Sequence, residues 1–98
     1  MRLPTLLDPE AELEWLEASN WYESKDPGRG ADFDAAVERA LDHIEQWPTL
    51  HPCVFEDIRM YQMEGYPYAL YFVVESAFIQ VISVFHNRRN PRDWQKRR

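Results

Sequence analysis

The chain has 98 residues, of which 45% are hydrophobic, so residues 1–98 suffice for a single domain with one core and leave no room for a second. No segment approaches the roughly 20 apolar residues that span a bilayer, and no signal-peptide core follows the first residues, so we expect a cytoplasmic protein. A lone Cys53 and three scattered histidines exclude an intramolecular disulfide and favour neither a metal site nor a cofactor.

Charge is distributed unevenly along the chain, whose formal net charge is −6. Residues 87–98 hold six basic residues against one acidic residue, a net charge of +5, which leaves −11 for residues 1–86. An acidic body with a basic end predicts one localised surface for an anion or an acidic partner, rather than a protein that coats nucleic acid. An unstructured, solubilising tail is the alternative. The basic residues concerned are Arg88, Arg89, Arg92, Lys96, Arg97 and Arg98.

The first part of the chain has the periodicity of an amphipathic helix over about 9–24. Asp8-Pro9 is typical of a helix start, because Asp can accept a hydrogen bond from a first-turn amide and Pro fits the first helical position. An apolar stripe at spacings of three and four follows, widened by Leu16, and acidic residues fill the rest of the surface. The stripe consists of Ala11, Trp15, Ala18 and Tyr22.

A turn and a second helix come next. Residues 25–30 contain one proline and two glycines, which interrupt a helix. The second helix is predicted over about 31–46, before Trp47-Pro48, and two helices joined by so short a turn pack as an antiparallel hairpin. Its apolar face consists of Phe33, Ala36, Val37, Ala40, Leu41 and Ile44. The tryptophans of this half, Trp15, Trp21 and Trp47, are predicted to pack between the hairpin and a sheet.

Beyond Cys53, β-branched and aromatic residues predict strands over 54–63, 68–74 and 78–85. The short links between them permit only antiparallel neighbours, and 68–74, apolar on both faces, is expected at the sheet's centre. Residues 2–7 are a candidate edge strand, although Pro4 removes a backbone donor. The predicted fold is therefore α+β, with a helical hairpin packed on one face of a small antiparallel β-sheet in the order (β)ααβββ.

An ordered set of residues within these elements is shared with a known family. It consists of Ala18, Trp21 and Tyr22, then Pro27-Gly28, Phe33, Ile44, Pro48, Arg59 and Tyr66-Pro67-Tyr68, and finally 86–91 with Trp94. In this order the set resembles the RelE/ParE superfamily of toxins from type II toxin–antitoxin systems, in particular its plasmid-stabilisation, ParE-like branch. Tyr66 replaces the usual Phe of that family, and the acidic balance departs from the strongly basic members that cut ribosome-bound message.

The resemblance implies a toxin that arrests growth by binding an essential target such as DNA gyrase, and that a cognate antitoxin neutralises. The long hairpin and the acidic body fit this ParE-like activity. A RelE-like, metal-independent endoribonuclease acting on the ribosome and its mRNA is the alternative, and a non-toxic relict that only binds its antitoxin is a third. In each case an amphipathic antitoxin segment is expected to wrap the hairpin and the sheet. We expect no membrane partner and no sequence-specific contact with DNA.

Arg59, His86 and Arg89 would carry catalysis if the chain were a ribonuclease. His86, at the end of the last strand, could move a proton if it faced the same surface as Arg59; otherwise it fixes the tail. Arg59 would stabilise a phosphate or form an internal salt bridge with Glu56, Glu75 or an acid of the first helix. For a binding toxin, the basic residues from Arg88 to Arg98 form the target or antitoxin surface. Four aromatic residues are predicted to be core rather than to stack on bases, namely Tyr66, Tyr68, Tyr71 and Trp94.

Overall fold

The computed structural model describes residues 2–98, in which two long helices precede most of a five-stranded sheet. The helices are α1 (Pro9–Lys25), α2 (Arg29–Gln46) and the short α3 (Arg92–Gln95). The strands are β1 (Thr5–Leu7), β2 (Cys53–Phe55), β3 (Ile58–Gln62), β4 (Tyr68–Val74) and β5 (Ile79–His86). The order of elements confirms the predicted (β)ααβββ fold.

The strands lie in the order β1-β5-β4-β3-β2, so β4 occupies the centre as predicted. The three pairs β2–β3, β3–β4 and β4–β5 are antiparallel. Strand β1 pairs parallel with β5, with Thr5 opposite Ile79, which makes the sheet mixed rather than purely antiparallel. Short links fix the direction of consecutive strands only, and most of the chain separates β1 from β5.

The strand predicted over 54–63 is two strands, β2 and β3, joined by a tight turn. Glu56 adopts a left-handed backbone conformation with φ of 52°, and Phe55 pairs with Ile58 across the turn. The acidic pair Glu56-Asp57 was the signal for this turn, but the β-forming residues on both sides hid it.

The hairpin covers one face of the sheet with small and aliphatic side chains. All six residues of the predicted α2 stripe are buried, as are Ala11 and Ala18 of α1. Three expectations for this layer were wrong, because Leu16, Trp21 and Trp47 are 57%, 54% and 52% exposed. Alanines at the helix contacts bring the two layers close together and leave these larger side chains at the rim.

The C-terminal segment covers the other face of the sheet. Trp94 of α3 is 4% exposed and packs on a cluster of strand residues, namely Ile58, Val73, Ile82 and Phe85. Its indole stacks on Tyr71, with 3.9 Å between ring centroids and 17° between planes. The segment is therefore a structural layer and not an unstructured solubilising tail, and Trp94 is core as predicted.

Candidate functional site

A cleft opens beside the end of β5, where α1 runs past the last residues of the strand. It has two compartments of about 350 and 310 Å³, which share Trp21, Tyr68 and His86. The first is also lined by Glu14, Glu17, Ala18, Val84 and Arg89, and the second by Tyr22 and Pro67. Apolar and aromatic walls with a few polar groups are typical of a binding site.

His86 is held in the cleft by the strand and by its own turn. Its ring packs edge-on against Tyr68, the opposite residue on β4, at 5.0 Å between centroids. The backbone N–H of Arg88 donates to Nδ1 at 3.1 Å, so the neutral ring carries its proton on Nε2. Burial raises the pKa of Tyr68, which keeps its hydroxyl a neutral donor. The pair can therefore donate hydrogen bonds to a ligand.

Glu14 of α1 gathers the charged groups at the bottom of the cleft. Its side chain is 10% exposed and accepts hydrogen bonds from the Ser83 hydroxyl at 2.8 Å and the Val84 N–H at 3.2 Å. It also binds Arg89 at 2.8 Å and Arg97 at 2.9 Å. Arg89 therefore enters the cleft with its charge already compensated, and a second ion pair joins it to Asp93 at 3.2 Å.

The same network closes an open sheet edge. Strand β1 pairs with β5 only as far as Val81, so within residues 2–98 the backbone of β5 beyond Val81 has no strand partner on that side. Glu14 satisfies the N–H of Val84, and the guanidinium of Arg97 donates to the carbonyl of Ile82 at 3.1 Å. Side chains thus replace a strand at an edge that would otherwise invite pairing with another chain.

Sequence patterns did not single out Glu14. Four other glutamates occupy α1, and the periodicity assigns them all to its polar surface. Its role arises from tertiary contacts with β5 and the C-terminal segment, which no local pattern contains.

The six basic residues of the C-terminal segment divide into two groups. Arg89 and Arg97 bind Glu14, while Arg98 binds Asp57 at 2.8 Å and Glu75 at 3.3 Å. Hydrogen bonding to Arg98 lowers the pKa of Asp57. The other three are exposed and form no ion pair within residues 2–98; they are Arg88, Arg92 and Lys96.

Arg59 lies far from the cleft. It pairs with Phe72, which pairs with Val81, and His86 is five residues further along β5 and two strands away. These offsets correspond to roughly 19 Å. Its guanidinium donates to the His51 carbonyl at 2.6 Å, and no salt bridge to the acids named above joins it within residues 2–98. The structure brings His86 and Arg89 together but leaves Arg59 elsewhere.

The sequence matches no protein-family model and no curated protein. Among solved structures, a chain of the chromosomal ParDE TA system from P. aeruginosa superposes with a TM-score of 0.77. The match covers 87% of this chain and 96% of that chain at 13% sequence identity. This protein has the fold of that ParDE chain. The fold implied by the ParE-like resemblance of the sequence is thereby confirmed. Within residues 2–98, none of the helices combines the length and the apolar composition that a membrane-spanning helix needs.

Proposed function

We propose that the protein is the toxin of a type II toxin–antitoxin system, which acts in the cytoplasm by binding an essential target such as DNA gyrase and is neutralised by a cognate antitoxin. The observation that carries this proposal is the ParDE-like fold over 87% of the chain. The acidic body supports a protein target over a ribosomal one, because binding to RNA strengthens with the number of phosphates that basic residues neutralise.

The positions of the three candidate catalytic residues support binding rather than catalysis. A ribonuclease needs a proton-transferring group and a cation at the same phosphate. Arg59 is roughly 19 Å from His86 by strand register. Arg89 does share the cleft with His86, but Glu14 and Asp93 both compensate its charge.

For the target or antitoxin surface we propose Arg88, Arg92 and Lys96, the three exposed basic residues of the C-terminal segment that form no ion pair within the described residues. Arg92 and Lys96 line a shallow depression of about 290 Å³ together with Phe55 and Gln95. Arg88 lies in the turn that follows β5. An acidic partner segment with an apolar side chain fits this combination of charge and aromatic surface.

The experiment expresses the protein from a tightly controlled promoter and tests the purified protein in a gyrase supercoiling assay. We expect growth arrest, inhibition of supercoiling, and loss of both in the triple variant Arg88→Ala, Arg92→Ala, Lys96→Ala. His86→Ala should retain both activities. A preparation that arrests cells yet never inhibits supercoiling would contradict gyrase as the target.

The endoribonuclease alternative rests on the shared cleft of His86 and Arg89 and predicts the opposite pattern. His86→Ala would then abolish growth arrest, while the fold and antitoxin binding survive. Harmless overexpression in a host without any partner gene would instead identify a relict that only binds its antitoxin.

A further inference from the structure

The hairpin has a groove on its solvent side that the packing of the fold does not use. The groove lies between α1 and α2, has a volume of about 400 Å³ and contains three exposed or half-buried residues of α1 besides Glu12. These are Trp15, Leu16 and Ser19, and the facing residues of α2 are Asp34 and Glu38. From Glu12 to Ser19 it extends over eight positions of α1, a rise of about 10 Å or two helical turns.

The floor of the groove is apolar. Leu16 lines the groove and is 57% exposed. The indole N–H of Trp15 donates to Asp34 at 2.8 Å, which fixes the ring as a wall of the groove. The exposed Leu16 and the fixed indole of Trp15 together provide a contact surface for apolar side chains.

The rim of the groove is acidic. Glu12 and Glu38 are exposed, and neither forms an ion pair in the part of the chain that the structure describes. Around them, residues 9–46 carry eleven acidic side chains against three basic ones, a net charge of −8. A partner that filled the groove with apolar side chains would meet carboxylates on both sides.

We propose that this groove binds a cationic amphipathic segment of the antitoxin. The segment supplies two apolar side chains one helical turn apart to Leu16 and Trp15, and lysines or arginines to Glu12 and Glu38. Charge complementarity selects it over an acidic segment, because like charges facing each other across an interface are costly. The inference rests on the proposed function for the identity of the partner, whereas the groove and its polarity are properties of this chain alone.

The test uses three synthetic peptides of about 15 residues, a length at which a helix forms on contact. The first is an amphipathic peptide of leucine and lysine, the second its twin with glutamate in place of lysine, and the third the first in scrambled order. Each is titrated into the full-length protein, with affinity measured by calorimetry and location by amide chemical shifts. We expect the ordered cationic peptide alone to bind strongly and to shift the amides of Leu16, Ser19 and Glu38.

Two matched variants show whether the groove or the overall charge is responsible. Glu38→Lys and Glu64→Lys change the net charge equally at exposed positions, but only Glu38 lines the groove. We expect Glu38→Lys to weaken binding of the cationic peptide by about threefold to tenfold and Glu64→Lys by less than about twofold. Leu16→Asn should also weaken binding of the cationic peptide, because the substitution removes apolar surface from the groove.

Four results would overturn the proposal: no binding by the ordered cationic peptide, equal binding by its acidic or scrambled relative, equal weakening by the two lysine variants, or shifts that lie outside the groove. If only the proposed function is wrong, the experiments give a different combination of results. A chain that binds the cationic peptide in the groove but never arrests growth keeps its docking surface and is not a toxin.

Discussion

Arg97 forms an ion pair with Glu14 across 83 positions of the chain, with 2.9 Å between Nη2 and Oε2. The two side chains are only 16% and 10% exposed. The hydrogen bond from Arg97 to Glu14 raises the pKa of Arg97, so this guanidinium stays charged at any physiological pH. The contact ties the basic end of the chain to the acidic hairpin, and the C-terminal segment is thereby part of the folded structure.

Glu14→Ala should destabilise the protein by about 3 to 5 kcal/mol. Arg89 and Arg97 would both lose the carboxylate that compensates their positive charge in a partly buried site. Arg97→Ala should cost less, about 1 to 3 kcal/mol, since Glu14 keeps Arg89, the Ser83 hydroxyl and a backbone amide. Urea denaturation measures both. Arg88→Ala removes the same charge from an exposed position and should stay within about 0.5 kcal/mol of the parent. Equal losses of stability in Arg88→Ala and Arg97→Ala would contradict a stabilising role of the Arg97–Glu14 ion pair.

Trp94 should be the most costly aromatic residue to truncate on the second face of the sheet. Trp94→Ala leaves a cavity against Tyr71 and Phe85 and should cost about 3 to 5 kcal/mol. Trp94→Phe should cost less than about 1.5 kcal/mol, because an aromatic ring remains against Tyr71 and the substitution removes the buried indole N–H, which has no hydrogen-bond acceptor within residues 2–98. Thermal unfolding of the two variants provides the comparison. A Phe variant as unstable as the Ala variant would show that the shape of the indole, and not its apolar area, holds the segment.

Local patterns predicted the layers of this protein but not the contacts that join them. The stripe from Phe33 to Ile44 was correct because helical periodicity reports burial directly. Strand β4 is apolar on both faces, so the sheet needs a second layer on the face opposite the hairpin. No local pattern showed that Trp94 belongs to this layer. The separation of Arg59 from His86 likewise depends on strand register, which pairing across β4 determines.

Gly30 should tolerate no side chain, because α1 and α2 approach each other closely there. A Cβ at this position would lie 2.9 Å from the Ser19 carbonyl oxygen and 3.0 Å from a carboxylate oxygen of Glu23. Gly30→Ala should therefore destabilise the hairpin by about 1 to 2 kcal/mol despite the better helix propensity of Ala. Guanidinium denaturation measures the loss.

Gly28 provides a control for the steric crowding at Gly30. It has φ of 92°, and no atom lies within 4 Å of the point that a Cβ would occupy, so Gly28→Ala should suffer only from backbone strain. Asn tolerates the left-handed region better than Ala, so Gly28→Asn should be the milder change at Gly28 and Gly30→Asn the harsher one at Gly30. If Asn were milder than Ala at both sites, backbone strain and not steric contact would determine the loss of stability at Gly30.

His43 and His51 form a pair whose protonation should make stability depend on pH. Their Nε2 atoms are 3.0 Å apart, and one ring must accept the hydrogen bond that the other donates, so both cannot be charged without breaking it. Burial lowers the pKa of His51, with the nearby charge of His43 as the second cause. The other groups against the pair are the Tyr61 ring, whose centroid lies 4.8 and 5.2 Å from those of the two imidazoles, and Arg59, whose guanidinium donates to the His51 carbonyl.

Because the pKa of His51 is lower in the folded chain than its unfolded value of about 6.5, the unfolded chain binds more protons just below that pH. The free energy of unfolding should therefore fall as pH decreases from about 7 toward 5, and His51→Gln should flatten this dependence while His86→Gln retains it. Asp57, whose pKa Arg98 lowers, loses its contribution only below its unfolded pKa of about 4 and does not overlap this window. An unchanged pH dependence in His51→Gln would assign the titration to another group and leave the His43–His51 contact without a role in stability.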